Sequence, residues 1–96
     1  MVIPEKQVEN EIKHYLDNIG AYHIKTLGGS VPAGTPDILA CVNGVFVAIE
    51  VKKPKGGVVS ALQKSKLKKI RKAGGVSMVA KSLDEVMDVL KMEELI

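Results

Sequence analysis

Asn43-Gly44 fixes more of this chain's architecture than any other pair of residues, because it stands between two apolar runs, "DILACV" and "VFVAIEVK". Both central positions of a type I′ turn need positive φ. Asn-Gly supplies it at little cost, so the two runs fold back on each other as a hairpin. With Asn43 and Gly44 as the loop, Val42 faces Val45 and the register follows by counting: Cys41 with Phe46, Ala40 with Val47, Leu39 with Ala48, Ile38 with Ile49, and Asp37 opposite Glu50. Opposed residues hold their Cβ atoms about 4.5–5.5 Å apart, and like charges so placed repel. Alternation puts Lys52 on the face of Glu50, roughly 6.6 Å further along. Two carboxylates and one ammonium therefore converge where the chain otherwise reads as buried sheet.

The segments around the hairpin have simpler signatures. "PEKQVENEIKHYLDNIG" spaces Val8, Ile12, Tyr15, Leu16 and Ile19 as one helical face, opens with Pro4 and stops at Gly20. "AYHIKTL" reads as a strand and "GGSVPAGTP" as a loop rich in Gly and Pro. After "KPKGG", Ser60 starts a helix that ends before Gly74-Gly75. "VSMVA" is a short buried strand, and Ser82 caps a last helix from Leu83 to about Met92. The order is α-β-β-β-α-β-α. A strand, a helix and then a strand predict a right-handed parallel crossover added to the antiparallel hairpin, hence a mixed sheet with helices packed on it.

Ninety-six residues, 46% of them hydrophobic, suit one domain over 1–96 with a core of two or three layers. No apolar run approaches the roughly 20 residues of a membrane span, and no signal peptide is visible, so a cytoplasmic protein is expected. Cys41 stands alone, without Cys or His at zinc-finger spacing, and reads as a small buried residue. The net charge is only +3, yet 10 of the 14 Lys and Arg residues lie between Val51 and Leu83, where there is no Asp or Glu. Such a block suits a polyanion such as nucleic acid, and equally a solvated helix face.

A hard divalent cation would relieve the repulsion between Asp37 and Glu50. Mg²⁺ takes oxygen ligands and is usually held by one or two carboxylates together with substrate phosphate oxygens. A cation held this way lowers the pKa of its water and polarises a phosphoryl oxygen, while Lys52 is placed to orient the attacking water or to stabilise charge on the phosphate. That is the chemistry of phosphodiester hydrolysis. The plainer alternative makes Glu50 and Lys52 solvated strand-end residues and Asp37 a turn residue after Pro36.

"PD" at Pro36-Asp37 and "EVK" at Glu50-Val51-Lys52 are similar to the PD-(D/E)xK nuclease signature, and the element order resembles the restriction-endonuclease-like core of that superfamily. The chain most resembles VRR-NUC domains, stand-alone and like Holliday junction resolvases. Their helix-borne Glu, "GxPD" loop, "ExK" and helix-opening Gln match Glu5, "GTPD" at Gly34 to Asp37, Glu50 to Lys52, and Gln63. The similarity runs over essentially the whole chain. It implies that Asp37 and Glu50 bind Mg²⁺ or Mn²⁺, that the Val51 carbonyl adds a ligand, and that Lys52 is the catalytic lysine.

The remaining assignments are open at this level. Glu5 falls inside the apolar stripe of the first helix, and Glu9, at its edge, is the rival carboxylate. Gln63 faces the sheet, yet Ser60-x-x-Gln63 is also a capping box. His14 and His23 read as surface or core imidazoles. Lys53 and Lys55, beside the carboxylates, and Ser30 in the 28–35 loop are the candidates for holding a DNA backbone. Three aromatic residues, Tyr15, Tyr22 and Phe46, provide poorly for stacking on single-stranded bases, so duplex or branched DNA fits better. The expected function is a metal-dependent, structure-selective endodeoxyribonuclease that resolves four-way junctions as a homodimer. Its partner interface is expected on the C-terminal helix at Met87, Leu90 and Met92. A nuclease for flaps, nicks or single strands, and a non-catalytic DNA-binding module, are the alternatives.

Overall fold

Asn43 at φ 48° and Gly44 at φ 81° form the two-residue turn between β2 (Ile38–Val42) and β3 (Val45–Val51). The ladder runs from Val42↔Val45 to Ile38↔Ile49, in the register that counting from the turn predicts. The structure, a computed structural model, describes residues 2–96. On one side of the hairpin lies β1 (Tyr22–Lys25), antiparallel to β2; on the other lies β4 (Val76–Ala80), parallel to β3. Strand order in the four-stranded sheet is β1-β2-β3-β4.

The two sheet faces differ in their cover. Alternation sends Ile38, Ala40, Val42, Val47, Ile49, Val51, Val76, Met78 and Ala80 to one face. There they pack with Val8, Ile12 and Leu16 of α1 (Glu5–Asn18) and Val86 and Leu90 of α3 (Leu83–Met92). The other face is covered by α2 (Ala61–Lys72), and only over its β3–β4 half. Ser77 of β4 is tied to that helix, donating to the Leu67 carbonyl at 2.7 Å and accepting from Arg71 at 2.8 Å. Each buried aliphatic side chain in such a core contributes roughly 1.5–3 kcal/mol.

Leu90 is fully buried and Met87 partly so, because the apolar stripe of α3 faces the sheet core; of the expected interface only Met92, 79% exposed, is free. The expectation that this helix face meets a partner is therefore corrected. Cys41 is exposed, not buried, since it lies on the outer face of β2 beyond the reach of α2.

Candidate active site

One end of the sheet gathers the charges. There β1 and β3 finish and β2 begins, so the chain just before β2 meets the last residues of its neighbours. Asp37 lies one residue beyond the β2 ladder, which stops at the Ile38↔Ile49 pair. Its main-chain oxygen accepts from the Thr26 amide at 2.9 Å, and its Oδ2 accepts from the Val51 amide at 2.8 Å. The carboxylate thus replaces a backbone acceptor at the end of the strand, which anchors it beside Glu50. Val51 meets the cluster through this N–H, while its side chain is in the core.

Glu50 is 2% exposed. Its Oε2 accepts from Gln63 Nε2 at 3.0 Å and lies 3.4 Å from Lys52 Nζ. Its Oε1 is buried with no hydrogen-bond partner among the described residues. Burial, then the charge of the neighbouring Asp37, push the Glu50 carboxyl up to about 7, with Lys52 pulling the other way. A buried acceptor left without a donor costs about 1–3 kcal/mol. Such an oxygen is satisfied by a proton shared with Asp37 or by a cation.

Gln63 resolves its two candidate roles by filling both. Its amide oxygen accepts from the Ser60 N–H at 2.9 Å, while Ser60 Oγ accepts from the Gln63 N–H at 3.1 Å, which completes the capping box at the start of α2. With the oxygen held by the cap, the amide nitrogen is turned toward Glu50. One side chain therefore both starts the helix and supplies a donor to the cluster.

Of the two rival carboxylates on α1, Glu9 is the buried one, at 4% exposure, and Glu5 is exposed. Glu9 is ringed by Lys25 at 2.7 Å, Lys6 at 3.1 Å and Lys13 at 3.2 Å. Burial pushes its carboxyl up, but hydrogen bonds from these three lysines and the charge of Lys25 outweigh it and hold Glu9 at about 2. Lys25 also lies 3.7 Å from Asp37 Oδ1, so it bridges the two carboxylates. Its own pKa is raised, because the contact with Glu9 and the charges of Asp37, Glu9 and Glu5 outweigh its burial. Sequence reasoning missed Lys25. The signal available was its place opposite Ile38, one residue from Asp37, once β1 is paired with β2.

Other expected residues surround the cluster without touching it. Ser30 is exposed and bonded to the Leu27 carbonyl at 2.7 Å, and Lys53 and Lys55 are exposed on the loop after β3. The 28–35 loop lines a cleft of about 430 Å³ that opens on Asp37. A larger one of about 630 Å³ lies along α1 and Leu83 and includes neither Asp37 nor Glu50 in its lining. Gly34, at φ 83°, holds the first cleft against α2: a Cβ there would meet Leu62 Cγ at 2.7 Å. His14 is exposed, and His23 pairs with Asp17 at 2.7 Å, away from the cluster.

Among the described residues no group of three or more His, Cys, Asp or Glu side chains could hold a metal ion. Two carboxylates do not make the closed four-ligand set of structural zinc. They do suit a hard cation that completes its shell with water and phosphate oxygens, and the unpartnered Glu50 Oε1 is an oxygen such a cation would take.

A family model described as "Archaeal holliday junction resolvase (hjc)" matches residues 5–96, the stretch that holds every element and the whole cluster. The chain belongs to the archaeal Holliday junction resolvase family. It is thus a nuclease of the resolvase type, and its fold is the PD-(D/E)xK fold. Two solved structures are similar to this resolvase-family chain. One described as "VRR_NUC domain" has a TM-score of 0.77 and 26% identity, over 91% of this chain and 94% of that one. Another, "VRR_NUC domain protein", has a TM-score of 0.74 and 21% identity, over 94% and 87%. No curated protein matches the chain significantly. No helix among the described residues is long and apolar enough to cross a membrane.

Proposed function

We propose that residues 1–96 act as one Mg²⁺- or Mn²⁺-dependent endonuclease domain that resolves four-way DNA junctions as a homodimer. The observation that carries the metal-dependent chemistry is the buried Glu50 carboxylate, with one oxygen lacking any donor among the described residues and Asp37 beside it. Asp37 and Glu50 are the proposed ligands, joined by the Val51 carbonyl. The bound cation would supply a nucleophilic water and polarise the scissile phosphate. Lys52, held 3.4 Å from Glu50, is then free to turn to the phosphate and stabilise charge developing on it. Gln63 fixes the orientation of the Glu50 carboxylate. Lys25 neutralises Asp37 from the other side and is held in turn by Glu9. Glu5, at the start of α1 and close enough for its charge to act on Lys25, is the more distant candidate for the catalytic group. Lys53, Lys55 and Ser30, exposed on the two loops flanking the cluster, suit the DNA backbone.

Resolution requires two cuts placed symmetrically about the branch point, and each chain carries one cluster, so a two-fold pair is the fitting assembly. The test is cleavage of labelled four-way junction, flap, nicked, duplex and single-stranded substrates with Mg²⁺, with Mn²⁺ and with EDTA. Paired nicks on the junction, dependent on the metal and abolished by Asp37→Ala while junction binding persists, are the expected result. Cleavage by Asp37→Ala at the wild-type rate would remove the assignment. Preference for flaps would leave the chemistry and defeat the resolvase reading. A chain that binds DNA in EDTA and cuts nothing with either metal would be a binding module.

A further inference from the structure

Six of the 12 residues of α2 are cations, Lys64, Lys66, Lys68, Lys69, Arg71 and Lys72, and none is acidic. All but Lys66 are exposed. Arg71 is held by Ser77, whereas the five lysines enter no ion pair among the described residues. Lys64 and Lys68, and Lys68 and Lys72, are i,i+4 neighbours, so like charges stack along the helix and weaken it. The macrodipole accounts for Lys69, Arg71 and Lys72 in the last turn. It opposes Lys64, which stands one residue past the capping box at the positive end of the helix. At that end α1 carries Glu5, and α3 carries Asp84 and Glu85. Charge so arranged is relieved only when an anion from outside the chain lies along it.

We infer that the lysine row of α2 is a second DNA-backbone site, which holds the duplex arm leading away from the charged cluster; this rests on the proposed action on branched DNA. Three observations select a duplex arm. First, α2 starts at the cluster, where Gln63 donates to Glu50 at 3.0 Å. It then runs back along the sheet, since β4 begins beside Val47 near the hairpin. An anion on the row is therefore continuous with the strand at the cluster. Second, Lys64, Lys68 and Lys72 share a strip about 80° wide that rises about 12 Å, the span of roughly three or four phosphates of one strand. Third, no aromatic residue lies on the helix, so it offers charge to a backbone and no platform to unpaired bases. Ammonium groups hold phosphate without reading base edges. The row adds affinity for an arm of any sequence, and the choice of branched over linear duplex is left to the surface around the cluster.

Fluorescence anisotropy in EDTA tests this on the full chain, with a labelled four-way junction and a linear duplex of equal length. Replacing Lys64, Lys68 and Lys72 together with Ala is expected to lower the slope of log affinity against log salt by about 3. Both DNAs should lose affinity by the same factor, so that their ratio is unchanged. Without DNA and in low salt, the triple variant is expected to melt at or above the wild type, because Ala suits a helix and the repulsion is gone. A wild-type slope in the triple variant makes the row a solvated face and overturns the site. A loss confined to the junction moves the contact to the branch point and overturns the arm. A variant that melts below the wild type shows the lysines to be paired within the fold and removes the premise. Binding in EDTA needs no cleavage: a wild type that binds neither DNA defeats the nuclease reading as well, whereas a wild type that binds, beside a triple variant with the same slope, defeats this inference alone.

Discussion

The Glu50 carboxyl should make the metal-free protein weaker in base than in acid. Burial and Asp37 move it from the usual 4.5 to about 7, so the folded chain holds a proton there that the unfolded chain has released. The sign follows. Stability from this group is fully present below 4.5, is lost as pH rises from 4.5 to 7, and is level above that. At about 1.4 kcal/mol per pH unit the loss is about 3 kcal/mol. Glu50→Gln keeps the shape and an oxygen for Gln63 but removes the ionisation. Its gain at pH 8 should be about 2 kcal/mol, because Lys52 loses a partner worth up to about 1 kcal/mol. For a chain of this length that is a rise in melting temperature on the order of 10 °C. Thermal and urea unfolding of both proteins in EDTA, from pH 5 to pH 9, reads it directly. The difference between the two removes every contribution that both proteins share. Glu50→Gln should equal or fall below the wild type at pH 5 and exceed it at pH 8. Mg²⁺ or Mn²⁺ should then close the gap at pH 8 by stabilising the wild type alone. Parallel curves across the pH range would refute the argument, since a solvated or fully paired carboxylate gives no such divergence.

Glu9→Gln should act in the opposite sense: Glu9 is held at about 2, so its contribution, about 3 kcal/mol, is present above 4.5 and disappears as pH falls toward 2, which the difference in urea midpoints between wild type and variant will follow. Gln63→Glu keeps the capping box yet replaces the donor to Glu50 with a third carboxylate, so it should melt within about 1 kcal/mol of wild type at pH 5 and well below it at pH 8. Gln63→Ala, which loses only the side-chain half of the capping box because Ser60 Oγ keeps the N–H of residue 63, should cost about 1 kcal/mol at pH 5 and more at pH 8, where the ionised Glu50 lacks its donor. A Gln63→Glu protein with the same pH profile as wild type would place that side chain outside the cluster. Replacing Lys53 and Lys55 with Ala should lower the slope of log affinity against log salt for junction DNA by about 2, measured by fluorescence anisotropy, and an unchanged slope would remove both from the backbone contacts.

How much of this was legible follows from the range over which each signal acts. The hairpin register came from one dipeptide, because a turn that needs two positive φ values leaves no freedom to the strands beside it. The pairing of Asp37 with Glu50 was read almost correctly. The ladder ends one residue sooner, because the Asp37 side chain, rather than backbone, takes the Val51 amide. A helical wheel favoured Glu5 over Glu9, since it registers the apolar stripe of α1 but not the ammonium that arrives from β1. Lys25 is 16 residues from Glu9, and only the packed sheet brings them to 2.7 Å. The apolar face of α3 could equally have served a partner or the core. Which of the two it meets depends on the area of sheet left to cover, a property of the assembled layers.

The contacts that build the charged cluster are short in chain length: 14 residues separate Asp37 from Val51, and 13 separate Glu50 from Gln63. Loops of that size close at small entropic cost, so these contacts are available early on the way to the native state. If they form by the transition state, the repulsion between Asp37 and Glu50 is expected to raise the folding barrier as well as to weaken the finished protein. Without a cation, high pH should slow refolding more than it hastens unfolding, and stopped-flow traces at pH 5 and pH 8 would separate the two. The ion that suits the chemistry would then also speed folding, lowering the barrier for the chain that is to hold it.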